Sequence, residues 1–150
     1  WNSEDEAREK MVFGMQNTDI MKISDNEIVF LTGEENLDKG VRMLIDRYEI
    51  PLVFATLGPD GSRAYYKGER VDCPGFKNPN TIETTGAGDT FCACGLHFVL
   101  KYGLKELNIF RLRELLTFAN AAASLVTTRR GALAVMPTEE EVMEYIRSYQ

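Results

Sequence analysis

The segment Pro51-Leu52-Val53-Phe54-Ala55-Thr56 constrains the fold most, because it is a compact apolar run with no polar alternation. A strand apolar at successive positions is buried on both faces, and such strands belong to parallel sheets covered by helices. The run directly follows a helix pattern. From Glu35 to Tyr48, Leu37, Val41, Leu44 and Ile45 recur at three- and four-residue spacing, which places them on one face. Upstream, Asp19 to Ile23 reads as a short strand. Ser24-Asp25-Asn26-Glu27 reads as a helix start leading into Ile28-Val29-Phe30-Leu31, broken at Thr32-Gly33. Strands alternating with helices predict an α/β layered sheet.

The flanks fit that class. Ser3-Glu4-Asp5-Glu6 has the capping-box pattern and opens a helix carrying Ala7, Met11, Val12 and Met15. Gly58-Pro59-Asp60-Gly61 is a turn, and Arg63 to Lys67 continues as a strand, so the run at 51–56 and this one form an expected hairpin. Val71 to Pro79 reads as irregular. Helices are expected from Gly86-Ala87-Gly88-Asp89 to Tyr102, closed by Gly103, from Arg111 to Thr127, and from Thr138-Glu139-Glu140-Glu141 onward.

Composition excludes several functions. The 150 residues are enough for one domain with its own core. Acidic residues number 23 against 17 basic, a net charge of −6, and Arg129-Arg130 is the one adjacent basic pair. A nucleic-acid partner is therefore not expected. No apolar run reaches the roughly 18 residues of a membrane span; the most apolar window, Phe91 to Leu100, contains His97. Cys73, Cys92 and Cys94 are odd in number and lack zinc spacing. They read as reduced, mostly buried thiols of a cytoplasmic protein.

Chemistry concentrates in Thr84-Thr85-Gly86-Ala87-Gly88-Asp89-Thr90-Phe91, between a loop and a helix. Two glycines and an alanine at a helix start leave backbone N–H groups unshielded beside the positive end of the dipole, a place suited to phosphate. Asp89 then has two readings: an acid that favours the dipole, or a base set against the bound anion. The pattern GxxxxGK[ST] is absent and the last glycine of GxGxxG is missing, so neither a P-loop nor a dinucleotide fingerprint is present.

That octapeptide resembles the DTTGAGDxF signature of the ribokinase-like carbohydrate kinases, the phosphofructokinase-B family. Ser24-Asp25-Asn26-Glu27 lies where the family has its N-x-x-E element. Thr56-Leu57-Gly58-Pro59-Asp60-Gly61 resembles its T-L-G-x-x-G turn, and Asn120 through Ala132 its adenine-side helix with a T-x-x-G-A end. The four motifs stand in family order, and Lys22-Ile23-Ser24 and Phe30-Leu31-Thr32-Gly33 are similar to bacterial fructokinases. The resemblance implies a three-layer αβα sheet of which residues 1–150 form the C-terminal, nucleotide-binding part. It also implies that ATP, Mg²⁺ and a sugar are the ligands. Asp89 is implied to be the general base that deprotonates the sugar hydroxyl, and Gly86, Ala87 and Gly88 the anion hole. Thr56, Gly58 and Gly61 are implied to line the nucleotide's phosphates and ribose, and Asn120 and Ala123 to wall the adenine. Glu27 is implied to organise Mg²⁺ through water. Glu83 and Thr85, with carbonyls near Arg129 and Gly131, are implied to form a monovalent-cation site, with Glu83 standing where the family has Asp.

The family's Gly-Gly-rich sugar segment and β lid are not found in these residues. The expectation is a C-terminal portion of a longer kinase domain, inactive alone, whose exposed sheet edge and apolar face favour self-association into a homo-oligomer. The alternative is a catalytically silent module that binds nucleotide or anion, or an assembly piece whose sheet edge pairs with another copy.

Overall fold

A computed structural model describes residues 1–131 and 133–149; Ala132, the last residue of the expected T-x-x-G-A end, lies outside the described residues. The chain is α/β, as the alternation predicts. Its elements are α1 (Glu4–Met15), β1 (Ile20–Ser24), α2 (Asp25–Thr32), α3 (Leu37–Tyr48), β2 (Leu52–Thr56), β3 (Gly61–Tyr66), β4 (Glu69–Pro74), α4 (Ala87–Tyr102), α5 (Ile109–Val126) and α6 (Glu139–Ser148). The strands form one sheet in the order β1-β2-β3-β4. Two compact units divide the chain: Trp1–Thr56 with Ala64–Arg70, and Leu57–Arg63 with Val71–Gln150.

In the first unit β1 and β2 run parallel, with Ile20 opposite Leu52 and Ser24 opposite Thr56. The apolar run behaves as its composition requires, since Leu52, Val53, Phe54 and Ala55 are all buried. Val53 and Ala55 share a core with Ile23, Ile28, Val41, Leu44 and Tyr65. α3 lies close on α2 at Gly40, where a Cβ would stand 2.6 Å from the Ile28 side chain. Gly33 ends α2 in the left-handed region (φ 69°). The α1 capping box is only half made. Ser3 accepts from the Glu6 N–H, but the Glu6 carboxylate reaches back to the Asn2 N–H and not to that of Ser3.

The second unit contains α4, α5 and α6. Ala121, Ala122 and Val142 pack with Phe76, Cys94, Phe118 and Tyr145, so the alanines allow close helix approach. α5 begins at Ile109, two residues earlier than its apolar pattern indicated, because the Asn108 side chain caps it by accepting from the Arg111 N–H. On the outer side of α4, Leu96 and Leu100 are exposed, as is Phe110 at the start of α5.

Two expectations need correction. Residues 71–74 are strand β4 and not irregular. Val71 and Cys73 are buried in alternation with exposed Asp72 and Pro74, a period-two pattern that Pro74 and Gly75 obscured. The hairpin that delivers β4 turns on Lys67 and Gly68, both at positive φ (50° and 82°), the geometry of a two-residue turn matched to sheet twist. Of the cysteines only Cys73 is buried. Cys92 and Cys94 are half-buried, since they lie on different sides of one helix, although burial still pushes the Cys94 thiol up to about 11.

Candidate active site

The expected site residues fall in both units. In the first, β1 and β2 end together at Ser24 and Thr56, at the carboxyl ends of parallel strands. This is the edge at which open α/β sheets place their ligands. Ser24 also caps α2. Its hydroxyl accepts from the Glu27 N–H, and Glu27 Oε2 accepts from the Ser24 N–H (2.7 Å) and hydroxyl (2.9 Å), a complete capping box. Burial raises the Glu27 pKa, but the two Ser24 hydrogen bonds and the charge of Lys22 outweigh it and hold the carboxyl below its ordinary 4.5. Thr56 Oγ1 donates to the Ile23 carbonyl at 3.5 Å. Glu27 and Thr56 are thus gathered around Ser24.

The role of Ser24 can be measured. Ser24→Ala is expected to cost about 1 kcal/mol at neutral pH in urea unfolding, the usual worth of a helix cap. Part of that cost titrates. The lowered Glu27 pKa contributes stability that is present above the unfolded-state value and lost as pH falls through the folded-state value. The gap between variant and parent therefore narrows below pH 4.5, and a gap that widens in acid contradicts this account.

In the second unit Gly86 caps α4 with φ 81° and no side-chain cap hydrogen bond. Thr90 N–H closes on the Gly86 carbonyl at 2.8 Å, and Ala87 N–H on the Thr84 carbonyl at 3.2 Å. Ala87 N–H therefore already has an acceptor. Among the described residues the Gly86, Gly88 and Asp89 N–H groups have no backbone acceptor, which makes them donors open to an anion at this helix start. Asp89 is exposed in the same first turn. Next to it Thr90, only 3% exposed, buries a hydroxyl without a partner among the described residues.

Glu83 lies beside the loop after α5. Its N–H and that of Ile82 donate to the Thr127 carbonyl, and its Oε1 accepts from the Gly131 N–H at 3.0 Å. The structure thus joins Glu83 to Gly131 through the Gly131 N–H. Among the described residues, exposed Thr85 makes no hydrogen bond to either. Arg129 fixes the same loop to α6, with its guanidinium 2.6 Å from Glu141 and bonded to the Val135 carbonyl. That bond and the Thr138 N–H hold the Glu141 carboxyl below its ordinary range.

Gly58 opens a single turn of 3₁₀-helix and Gly61 follows it, with Leu57 N–H donating to the Gly61 carbonyl. A Cβ on Gly61 would stand 2.2 Å from the Cys73 carbonyl, and one on Gly75 2.3 Å from the Pro59 carbonyl. Asn120 holds both sides of this contact. Its Oδ1 accepts from the Ser62 hydroxyl (2.9 Å), and its Nδ2 donates to the Cys73 and Pro74 carbonyls. Ala123, one turn further along α5, is half-buried. Sequence reasoning missed Ser62 and Gly75. The available signal was Asn120 itself, a polar residue within the apolar run Ala119 to Ala122, where a buried amide needs partners.

The residues present suit a divalent ion held mainly by substrate. Among the described residues no three His, Cys, Asp or Glu side chains converge to hold a metal. Glu27 accepts from Ser24 through Oε2, which leaves Oε1 as a hard oxygen donor. Mg²⁺ typically takes one or two carboxylates, several waters and phosphate oxygens. Among the described residues no helix is long and apolar enough to cross a membrane.

Comparison with known proteins gives a consistent picture. The family model "pfkB family carbohydrate kinase" matches residues 2–139. Fructokinase-1 of Zea mays is 35% identical over 146 residues, covering 97% of this chain and 45% of the maize protein. Fructokinase from Vibrio cholerae O395, solved with fructose, ADP and calcium bound, superposes with a TM-score of 0.83 at 27% identity, over 95% of this chain and 45% of that one. Arabidopsis thaliana ribokinase, solved with ribose and ATP, gives a TM-score of 0.72 at 28% identity, over 89% and 42%. The chain spans less than half the length of each of these three proteins.

Proposed function

The chain belongs to the pfkB family of carbohydrate kinases, and from that premise we propose that it is the nucleotide-binding, C-terminal part of an ATP-dependent sugar kinase, with fructose as the sugar. The observation that carries the proposal is the start of α4, where exposed Asp89 shares one helical turn with the open N–H groups of Gly88 and Asp89. Base and anion-binding donors thereby stand side by side, the pairing that phosphoryl transfer asks of a protein.

In this reading the γ-phosphoryl of ATP lies against the α4 N-terminus. The Asp89 carboxylate accepts the proton of the sugar hydroxyl as its oxygen bonds to the γ-phosphorus and ADP departs. The backbone donors stabilise charge on the transferring group without reorganising. Of the expected anion hole, the Gly86 and Gly88 N–H groups remain donors, the Asp89 N–H joins them, and the Ala87 N–H is held by Thr84. Mg²⁺ would supply charge neutralisation when bound, and Glu27 of the first unit is proposed to orient its waters. Glu83 with the 129–131 loop offers oxygens to a potassium ion. The fructose preference follows the maize and Vibrio relatives, and the sugar's contacts other than Asp89 are assigned to the part of the kinase outside this chain.

The test has two arms. Calorimetry should show the 150-residue chain binding Mg·ADP, and a coupled ADP-release assay with fructose, ribose and nucleosides should show no turnover by the chain alone. Absence of ADP binding removes the nucleotide role, and measurable sugar phosphorylation by the chain alone overturns the division of labour.

A further inference from the structure

The resemblance makes Asn120 a wall of the adenine pocket, but its hydrogen bonds describe a different task. Asn120 is 7% exposed and its partner Ser62 is 1% exposed. An amide side chain has one acceptor oxygen and two donor hydrogens. Here the oxygen takes the Ser62 hydroxyl at 2.9 Å, and the nitrogen reaches the Cys73 carbonyl at 3.3 Å and the Pro74 carbonyl at 3.1 Å. The amide nitrogen thus has two protein acceptors and the oxygen one protein donor, so its hydrogen bonds are directed to the hairpin and not outward.

Its partners mark the two sides of one structure. Ser62 follows Gly61 directly at the start of β3, and Cys73 and Pro74 end β4. Between them backbone meets backbone. The Gly75 N–H donates to the Asp60 carbonyl at 3.3 Å, and neither Gly61 nor Gly75 has room for a Cβ. Lys77 closes the same contact from outside, 3.3 Å from the Asp60 carboxylate. The 58–61 turn and the end of β4 are therefore one assembly, and Asn120 is the α5 side chain that bonds to both halves.

We infer that Asn120, through Ser62, is a positioning residue that holds the Gly58–Gly61 turn at the distance from α5 needed to receive a nucleotide, and does not contact the base. This rests on the nucleotide role proposed above. A turn released from α5 samples other positions, and apparent affinity falls by the fraction of time it is out of place. The loss is blind to the identity of the base, because the base is not what Asn120 reads. Ser62 should act the same way, although a residue so deeply buried cannot itself touch a ligand.

The experiment measures Kd for Mg·ADP and Mg·GDP by calorimetry on the unmodified chain, Ser62→Ala and Asn120→Ala, with near-UV circular dichroism confirming that each is folded. Both variants are expected to bind ADP about tenfold more weakly, with the ratio of ADP to GDP affinity unchanged from the parent. A direct base contact predicts otherwise: the ratio collapses in Asn120→Ala and Ser62→Ala binds like the parent, and that result overturns the inference. So does unchanged ADP affinity in both folded variants, a result that leaves the nucleotide role intact. If Asn120→Ala does not fold, the affinity and ratio of Ser62→Ala decide alone. If the unmodified chain binds no ADP, the positioning role and the nucleotide role fall together.

Discussion

Replacement of Asp89 by asparagine in a kinase containing this chain is expected to lower kcat for sugar phosphorylation by about 10²–10⁴-fold, the usual worth of a general base, while leaving thermal unfolding nearly unchanged. The two halves of this expectation have separate causes. The catalytic loss arises because an amide cannot take the hydroxyl proton, although it keeps the size and shape of the carboxylate. The small change in stability follows from the position of the side chain, which is exposed and makes no capping hydrogen bond at the start of α4. A carboxylate in the first turn contributes only about 0.3–1 kcal/mol through the helix dipole. Steady-state kinetics and a melting curve on the same preparation therefore separate base from dipole partner. Normal turnover with a lowered melting temperature leaves Asp89 as a helix-start acid and removes it from the mechanism.

Gly61→Ala has the largest structural effect expected. Gly61 sits at φ 108°, and a Cβ there meets the Cys73 carbonyl at 2.2 Å, the Gly75 nitrogen at 2.5 Å and the Pro74 carbonyl carbon at 2.6 Å. All three are backbone atoms, so no rotamer change relieves the clash. Strain and displacement together should cost about 3–5 kcal/mol in urea unfolding. Gly33→Ala is the control, since Gly33 also has positive φ but nothing within 4 Å of its Cβ position. It should lose only the conformational penalty of about 1–2 kcal/mol. Equal losses at the two sites would mean that the contact between the turn and β4 yields easily, and the positioning role of Asn120 would then lose its structural basis.

The parts of the fold legible in the sequence were those set by local rules. The apolar run at 52–55, the Ser24 and Thr138 caps and the glycines after α2 and α4 each dictate structure within a few residues, and they lie where those rules place them. β4 was hidden for a physical reason. Its alternation spans only Val71 and Cys73, and its turn uses Lys67, a residue that rarely adopts positive φ. Within the candidate site, the helix start at Gly86 was legible because a glycine-capped helix terminus is set by a few neighbouring residues. The state of each N–H was not, since the bond from Ala87 to Thr84 depends on the loop's conformation. The partners of Asn120 were illegible for a different reason: Ser62 and Cys73 lie far from it along the chain and are joined to it by the hairpin.

That hairpin and the parallel pair beside it also differ in chain entropy. β3 and β4 are joined across Lys67 and Gly68 alone, whereas β1 and β2 are separated by residues 25–51, which carry two helices. Closing a chain on itself costs more the longer the enclosed segment, by about 0.6 kcal/mol for each doubling of length. The register that sets Ser24 opposite Thr56, and with it the surroundings of Glu27, is therefore the contact in this sheet held against the greater entropic pull.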